Sequence, residues 1–433
     1  MNVGFVHLGC SKNLVDTEMT IGLFKKNNYN IVNNEEEADI IVINTCGFIE
    51  PAKEEAINTI LDMAEYKKKR CKFLIVMGCL VQRYKDELEK AIPEVDLWIK
   101  YSTYNTIWEQ IENAIKLKSA ESRNLDFLNR VVTTGQNYAY LRIADGCDNF
   151  CTFCAIPKIR GRYASRKIED ILQEATKLAN EGYKELIIIA QDTGRFGIDI
   201  YGKPMLSELL QKLCKIEKVR WIRFLYTYPE TIDDKLIQTV KNEEKICKYF
   251  DIPIQHISDS VLKRMNRKSN GESIKKLVKK LRDEIPEVVI RTTVMVGFPG
   301  ETKEDFEQLY DFVKIAKFDR LGAFSYSKEE NTPAEKLKDQ IHPNTKKSRY
   351  NKIMTLQQEI ANENQKKFIG KELEVLVETK TFDNKYYVGR SRKEVPEIDS
   401  LIYMPMVEKE LEGKFIKVKI TDVQGYDLIG KVI

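Results

Sequence analysis

The chain has no apolar run approaching the roughly 20 residues that a membrane-spanning helix needs. Its opening Met1-Asn2-Val3-Gly4-Phe5-Val6-His7 also lacks the basic start and long apolar stretch of a secretory signal. A cytoplasmic protein with no membrane partner is expected. Neither charge sign is in excess, since 70 Lys and Arg face 66 Asp and Glu for a formal +4. That balance does not demand a nucleic-acid partner. Low-complexity tracts and short-period repeats are absent, which excludes solenoid architectures. Histidine is scarce, three residues in all. His7 and His256 lack partners at metal-site spacing and are expected as packed structural residues.

What is present supports packed cores: 42% of residues are hydrophobic and 31% charged. At roughly 100 to 200 residues per domain, the length predicts about three domains. In the first, apolar strands alternate with amphipathic helices: strands at Val3 to Leu8, Asp39 to Asn44 and Phe73 to Met77, helices near Leu14 to Lys26, Pro51 to Tyr66 and Val81 to Ala91. Residues 1–118 therefore read as an open parallel α/β sheet domain, followed by a polar linker over 119–137. Over 138–343, six βα units have strands at Tyr140 to Ala144, Glu185 to Ala190, Trp221 to Tyr226, Phe250 to Ile254, Val288 to Val296 and Leu321 to Tyr326. They predict a partial (βα)6 barrel, short of the eight strands that close a complete one. A polar helical bridge spans 344–368, and a strand-rich tail over 369–433 reads as a small β-barrel.

In a reducing compartment nine cysteines are better explained by metal binding or catalysis than by disulfides. Cys147-Asp148-Asn149-Phe150-Cys151-Thr152-Phe153-Cys154 follows the first barrel strand directly, so three thiolates can converge from one loop. A cubane cluster has four irons, and three cysteines leave one iron free to take a small molecule. Zinc is the competing reading, but it needs a fourth ligand and the loop offers none. Cys10, Cys46 and Cys79 are remote in sequence, yet each follows a strand of the first domain. In a parallel sheet those carboxyl ends share one edge, where such folds place ligands, so a second three-cysteine cluster is the economical reading. Cys71, Cys214 and Cys247 have no such placement and are expected as buried core residues.

The cysteine loop closely resembles the radical S-adenosylmethionine superfamily. That resemblance implies a [4Fe-4S] cluster whose open iron binds the cofactor's amino and carboxylate groups, with reductive cleavage giving a 5′-deoxyadenosyl radical. Together with the dispersed cysteines and a tail resembling a TRAM domain, it makes the chain similar from end to end to the methylthiotransferases. That family implies two [4Fe-4S] clusters, one delivering sulfur and one abstracting hydrogen, and two molecules of S-adenosylmethionine per product. It also implies flavodoxin or ferredoxin as electron donor and a monomeric enzyme. Leu8-Gly9-Cys10-Ser11-Lys12-Asn13-Leu14-Val15-Asp16, Ala144-Asp145-Gly146-Cys147-Asp148, Ile156-Pro157-Lys158-Ile159-Arg160-Gly161 and Gln191-Asp192-Thr193-Gly194-Arg195-Phe196-Gly197 resemble the RimO-type branch, with glycine at 194 in place of an expected threonine. That branch implies methylthiolation of an aspartate β-carbon on ribosomal protein S-twelve. The alternative branch modifies tRNA adenosine, and a non-catalytic iron-sulfur ribosome-associated factor is a third reading. From Gly370 to Ile433, eleven Lys and Arg face twelve Asp and Glu. Such a tail gives tRNA phosphates no attraction and suits a basic ribosomal protein.

For the cofactor, the resemblance implies that Phe153 packs against adenine and that the Gly297-Phe298-Pro299-Gly300-Glu301-Thr302 turn lies beside ribose and adenine. The same glycines and proline also suit a plain tight turn. Gln191 and Asp192, at the end of the second barrel strand, are placed to meet polar groups of the cofactor. The basic run Lys158, Arg160, Arg162, Arg166 and Lys167 offers Arg162 as a carboxylate contact, or else a solvated face.

Overall fold

The computed structural model describes residues 1–116 and 122–433. The first domain is a parallel sheet in the order β2-β1-β3-β4-β5, from β1 (Asn2–His7), β2 (Asn30–Val32), β3 (Ile40–Thr45), β4 (Phe73–Gly78) and β5 (Leu97–Lys100). Burial on both faces explains the unbroken apolar run of β3. Ile41 and Ile43 meet α2 (Glu50–Ala64) and α3 (Cys79–Ala91), while Ile40 and Val42 meet α1 (Ser11–Lys26) and α4 (Ile107–Ile115). The edge strands β2 and β5 are only three and four residues long, too short to give a periodic signal.

Six parallel strands build the partial barrel: β6 (Tyr138–Arg142), β9 (Glu185–Ile189), β10 (Trp221–Phe224), β11 (Tyr249–Gln255), β12 (Val289–Val296) and β13 (Arg320–Ser325). A small antiparallel ladder, β7 (Ala144–Asp145) with β8 (Ala164–Ser165), pins the base of the cysteine loop. The strands form two three-stranded sheets, β10-β9-β6 and β11-β12-β13, bridged at Ile222 and Ile246. Ladder pairing gives way there to Asp251, whose Oδ2 and backbone carbonyl accept from the amides of Tyr226 and Thr227. The predicted polar bridge is the helix Pro343–Lys366; its Ile353, Leu356 and Ile360 join the barrel core, so it is part of the barrel's own outer layer.

Residues 119–121 of the predicted polar linker lie outside the described residues. The part from 122 onward is tied down: the buried Arg130 bonds to Glu18 of α1 and Glu174 of the barrel. The tail is a closed barrel, β14-β15-β16-β18-β17, from β14 (Glu372–Lys380), β15 (Tyr386–Arg390), β16 (Ile402–Pro405), β17 (Phe415–Gln424) and β18 (Asp427–Val432). It docks where the large barrel's strands begin. Arg390 and Arg223 both pair with the fully buried Glu185, Tyr138 donates to Glu397, and Tyr249 donates to Asp399. The tail therefore grips the end of the barrel opposite the cysteine loop.

Candidate active site

Cys10, Cys46 and Cys79 follow β1, β3 and β4, which are adjacent in the sheet. Left-handed glycines make the turns. Gly9 has φ +104, and a Cβ there would stand 2.8 Å from Cys46 Cβ; Gly78 has φ +107, and a Cβ would meet Asn44 Oδ1 at 2.4 Å. The backbone can thus fold the three thiols toward one another, and the charge of Cys10 reaches both Cys46 and Cys79. Burial pushes the Cys79 thiol up to about 12 against the opposing Arg160, and burial also raises Cys46. Cys10 differs: burial would raise it, but Lys12, Arg160 and the amides of Asn13 and Lys12 outweigh that and hold it low. The residue is nevertheless exposed.

The loop after β6 brings Cys147, Cys151 and Cys154 together as free thiols. Burial drives Cys147 up to about 11 and raises Cys154 further. Tyr228 Oη is 3.6 Å and Arg267 Nη1 3.8 Å from Cys151 Sγ, and the guanidinium lies over the Tyr228 ring at 4.1 Å. This buried cation suits a loop of thiolates. Neither residue is singled out by sequence, because the segments after β10 and β11 supply them from far along the chain. Among the described residues no three His, Cys, Asp or Glu side chains chelate one ion; cubane thiolates bind separate irons and need not stand that close.

Gln191 Nε2 donates to Asp145, while Asp192 accepts from Asn149 at 2.8 Å. Buried polar atoms are left over around them: Gln191 Oε1, Asp192 Oδ1, Arg195 Nε and Arg267 Nε have no partner among the described residues. Burial lifts the Asp192 carboxyl to about 6, with Asn149 opposing. Unpaired buried polar atoms are costly, and a polar cofactor at this mouth would satisfy them. The donor set of three thiols and these orphaned groups fits a cluster with S-adenosylmethionine. Phe153 packs edge-on to Phe298, centroids 6.3 Å apart, beside the turn at Gly297. That turn is closed from within, since the Gly297 and Phe298 amides donate to Glu301, and a Cβ at Gly297 would meet Lys346 Cγ at 2.4 Å. Arg162 stays on the surface, paired with Asp148 at 3.0 Å.

The two trios meet across a buried ionic seam. Cys79 packs with Ala155 and Ile159, just beyond Cys154, and its thiol donates to Asn13 Oδ1. Arg160 donates to that same oxygen, to Asp16 at 2.7 Å and to Asp145 at 2.9 Å. Arg142 bonds Asp16 at 2.5 Å, and Tyr101 donates to Asp145 at 2.6 Å. Burial alone would raise Asp145, but Arg160 and Arg142 hold it at about 2. Of the remaining cysteines, Cys71 and Cys247 are buried and Cys214 half-buried. His7 Nδ1 pairs with Thr17, and His256 Nδ1 accepts from the Ser258 amide.

Residues 2–100 match the family described as uncharacterized protein family UPF0004, residues 141–313 the radical SAM superfamily and residues 369–433 the TRAM domain. The ribosomal protein uS12 methylthiotransferase RimO of Alkaliphilus oremlandii (strain OhILAs) is 60% identical over 433 residues, covering 100% of this chain and 99% of that protein. The protein of the same name from Clostridioides difficile (strain 630) is 48% identical over 440 residues, covering 100% of this chain and 99% of that one. Among solved structures, the radical S-adenosylmethionine methyltransferase TsrM from Kitasatospora setae shares the fold with a TM-score of 0.57 at 12% identity, covering 74% of this chain and 72% of that chain.

Proposed function

The chain belongs to the RimO family of ribosomal protein uS12 methylthiotransferases, and from that premise we propose how its two cysteine trios divide the work. It is a radical S-adenosylmethionine enzyme that methylthiolates ribosomal protein uS12. In our reading the acceptor is an aspartate β-carbon, Cys147, Cys151 and Cys154 hold the radical cluster, and Cys10, Cys46 and Cys79 hold a second [4Fe-4S] cluster that carries the sulfur. The observation that carries this is the apposition of the trios across the Arg160 seam, with Cys79 packed on the segment just after Cys154. Group transfer between two centres requires that they share one cavity.

The cluster and S-adenosylmethionine, when bound, supply the one-electron chemistry that activates an inert C–H bond. The chain supplies position and charge. Arg267 sits against Cys151 and offsets thiolate charge, Phe153, backed by the buried Phe298, gives the cofactor an apolar wall, and Gln191 and Asp192 present unpaired oxygens. Arg160 and Arg142 lock Asp16 and Asp145 so that the sheet domain cannot rock on the barrel. Flavodoxin or ferredoxin delivers the electrons, and the enzyme works as a cytoplasmic monomer.

The test is mass spectrometry of purified uS12 and of a tRNA anticodon stem-loop, each incubated with reconstituted enzyme, reductant and S-adenosylmethionine. A methylthio mass shift on one uS12 aspartate alone is the expected result. A shift on adenosine alone overturns the substrate assignment.

A further inference from the structure

The inner wall of the partial barrel is covered over one half and open over the other. Val15 and Met19 of α1 pack with Tyr140 and Ile189, and Leu376 and Val395 of the tail join the same core. On β12 and β13, Val294 and Ala323 enter the core under the outer helices, so the alternate set Arg291, Thr293, Gly322 and Phe324 faces inward. That set is not covered. Phe324 is 52% exposed, and a Cβ added at Gly322, the register partner of Thr293, would meet nothing within 4 Å. Glycine weakens a strand, and one use of the gap it leaves is the close approach of a ligand.

Arg291 stands on this open wall with 19% of its side chain accessible. Its Nη1 donates to Asp251 at 2.8 Å, and among the described residues the guanidinium has no second hydrogen-bond partner. Arginine carries five N–H groups in a rigid fork, so most of the fork is left to the cleft. Other arginines of the inner wall are tied elsewhere: Arg142 to Asp16 of the sheet domain, Arg320 to Ser400 of the tail and Arg223 to the buried Glu185. Asp251 fixes the direction of Arg291. Its side chain is 2% accessible, its Oδ2 accepts from the Tyr226 amide at 3.0 Å and its carbonyl accepts from Thr227. Tyr228, the next residue, reaches Cys151 at 3.6 Å. Arg291 is thereby anchored to the segment that borders the cysteine loop.

Resting on the methylthiolation of a uS12 aspartate, we propose that Arg291 receives the carboxylate of that substrate aspartate, with Asp251 as the positioning residue behind it. A carboxylate can take two parallel N–H groups of the fork, which sets its plane as well as its place. The β-carbon to be functionalised is bonded to that carboxyl carbon, so its position is set too. The same contact discriminates: asparagine has nearly the same shape but turns an N–H2 group toward donors, which leaves part of the fork unsatisfied.

The test is the affinity of the full chain for purified uS12 and for uS12 whose modified aspartate is replaced by asparagine. Wild type is expected to bind the aspartate form at least roughly tenfold more tightly, as a charge-assisted contact implies. Arg291→Gln alone would leave Asp251 buried without its cation, so it is combined with Asp251→Asn, which removes both charges and can still accept from the Tyr226 amide. This double variant should bring the ratio close to one while binding the asparagine form as wild type does, whereas a merely structural loss would weaken both forms alike. Gly322→Leu removes no charge and fills the open space on the same wall, and it should lower the ratio as well. A folded variant of either kind that retains the full preference, or a wild type that has none, overturns the proposal. The function reading fails by a different readout, the absence of any methylthio mass shift on uS12, so the two failures are distinguishable.

Discussion

Cys147, Cys151 and Cys154 come from one loop after one strand, whereas Cys10, Cys46 and Cys79 arrive from three strands and depend on the sheet order to meet. The contiguous trio lies within the barrel alone, with Arg267 and Tyr228 against Cys151. The dispersed trio touches the other domain: Cys79 packs on Ala155 and Ile159, and Arg160 reaches across to Asn13 and Asp16. In the proposed division of labour the radical centre is self-contained, while the centre proposed to hand over sulfur is tied to its neighbour's position.

The largest expected effect breaks the comparison outright. Cys151→Ala should abolish 5′-deoxyadenosine formation, while Cys46→Ala should lower methylthiolated uS12 by roughly a thousandfold or more and deoxyadenosine far less, so that cleavage runs without transfer. Chromatography of both products after one incubation checks it. Next, Arg160→Ala leaves Asp16 and Asp145 short of a partner and should cost about 3–5 kcal/mol in urea unfolding. Arg162→Ala, two residues on and with a side chain 75% exposed, should change stability by less than about 1 kcal/mol.

A smaller effect tests the barrel mouth. At Gly194 a Cβ would lie 2.0 Å from Thr231 Oγ1 and 2.6 Å from its Cβ, so Gly194→Thr should cost about 1–3 kcal/mol by overpacking, and Thr231→Gly in the same chain should relieve more of it than Thr231→Ala, which keeps the Cβ. Acid probes both regions more gently. Burial holds His7 at about 4, against the attraction of Asp16, and His256 at about 3. Both lie below the unfolded value of about 6.5, so the stability they confer is complete above that pH and lost as pH falls. For His256 the loss by pH 5 is up to about 2 kcal/mol, and less for the half-buried His7. Urea midpoints at pH 7 and pH 5, with His256→Gln flattening the difference, check this.

The three-domain order and both trios were legible because strand ends and cysteine spacing are local signals. Glycine at 194 also becomes intelligible, since Thr231 occupies the space a threonine would need. The seam was not legible: Asp16, Arg142 and Arg160 are each an ordinary charged residue until three elements bring them together. The docking of the tail at the strand starts was equally hidden, because Glu185, Arg223 and Arg390 carry no local pattern. The near-neutral tail therefore sits away from the cysteine loop.

The account stands most directly on whether the dispersed trio holds a cluster of its own. Iron counted per chain in the anaerobically reconstituted protein should be about eight in the wild type and about four when Cys10, Cys46 and Cys79 are all changed to alanine. About four in both would contradict a second cluster and leave the dispersed cysteines without the role given them.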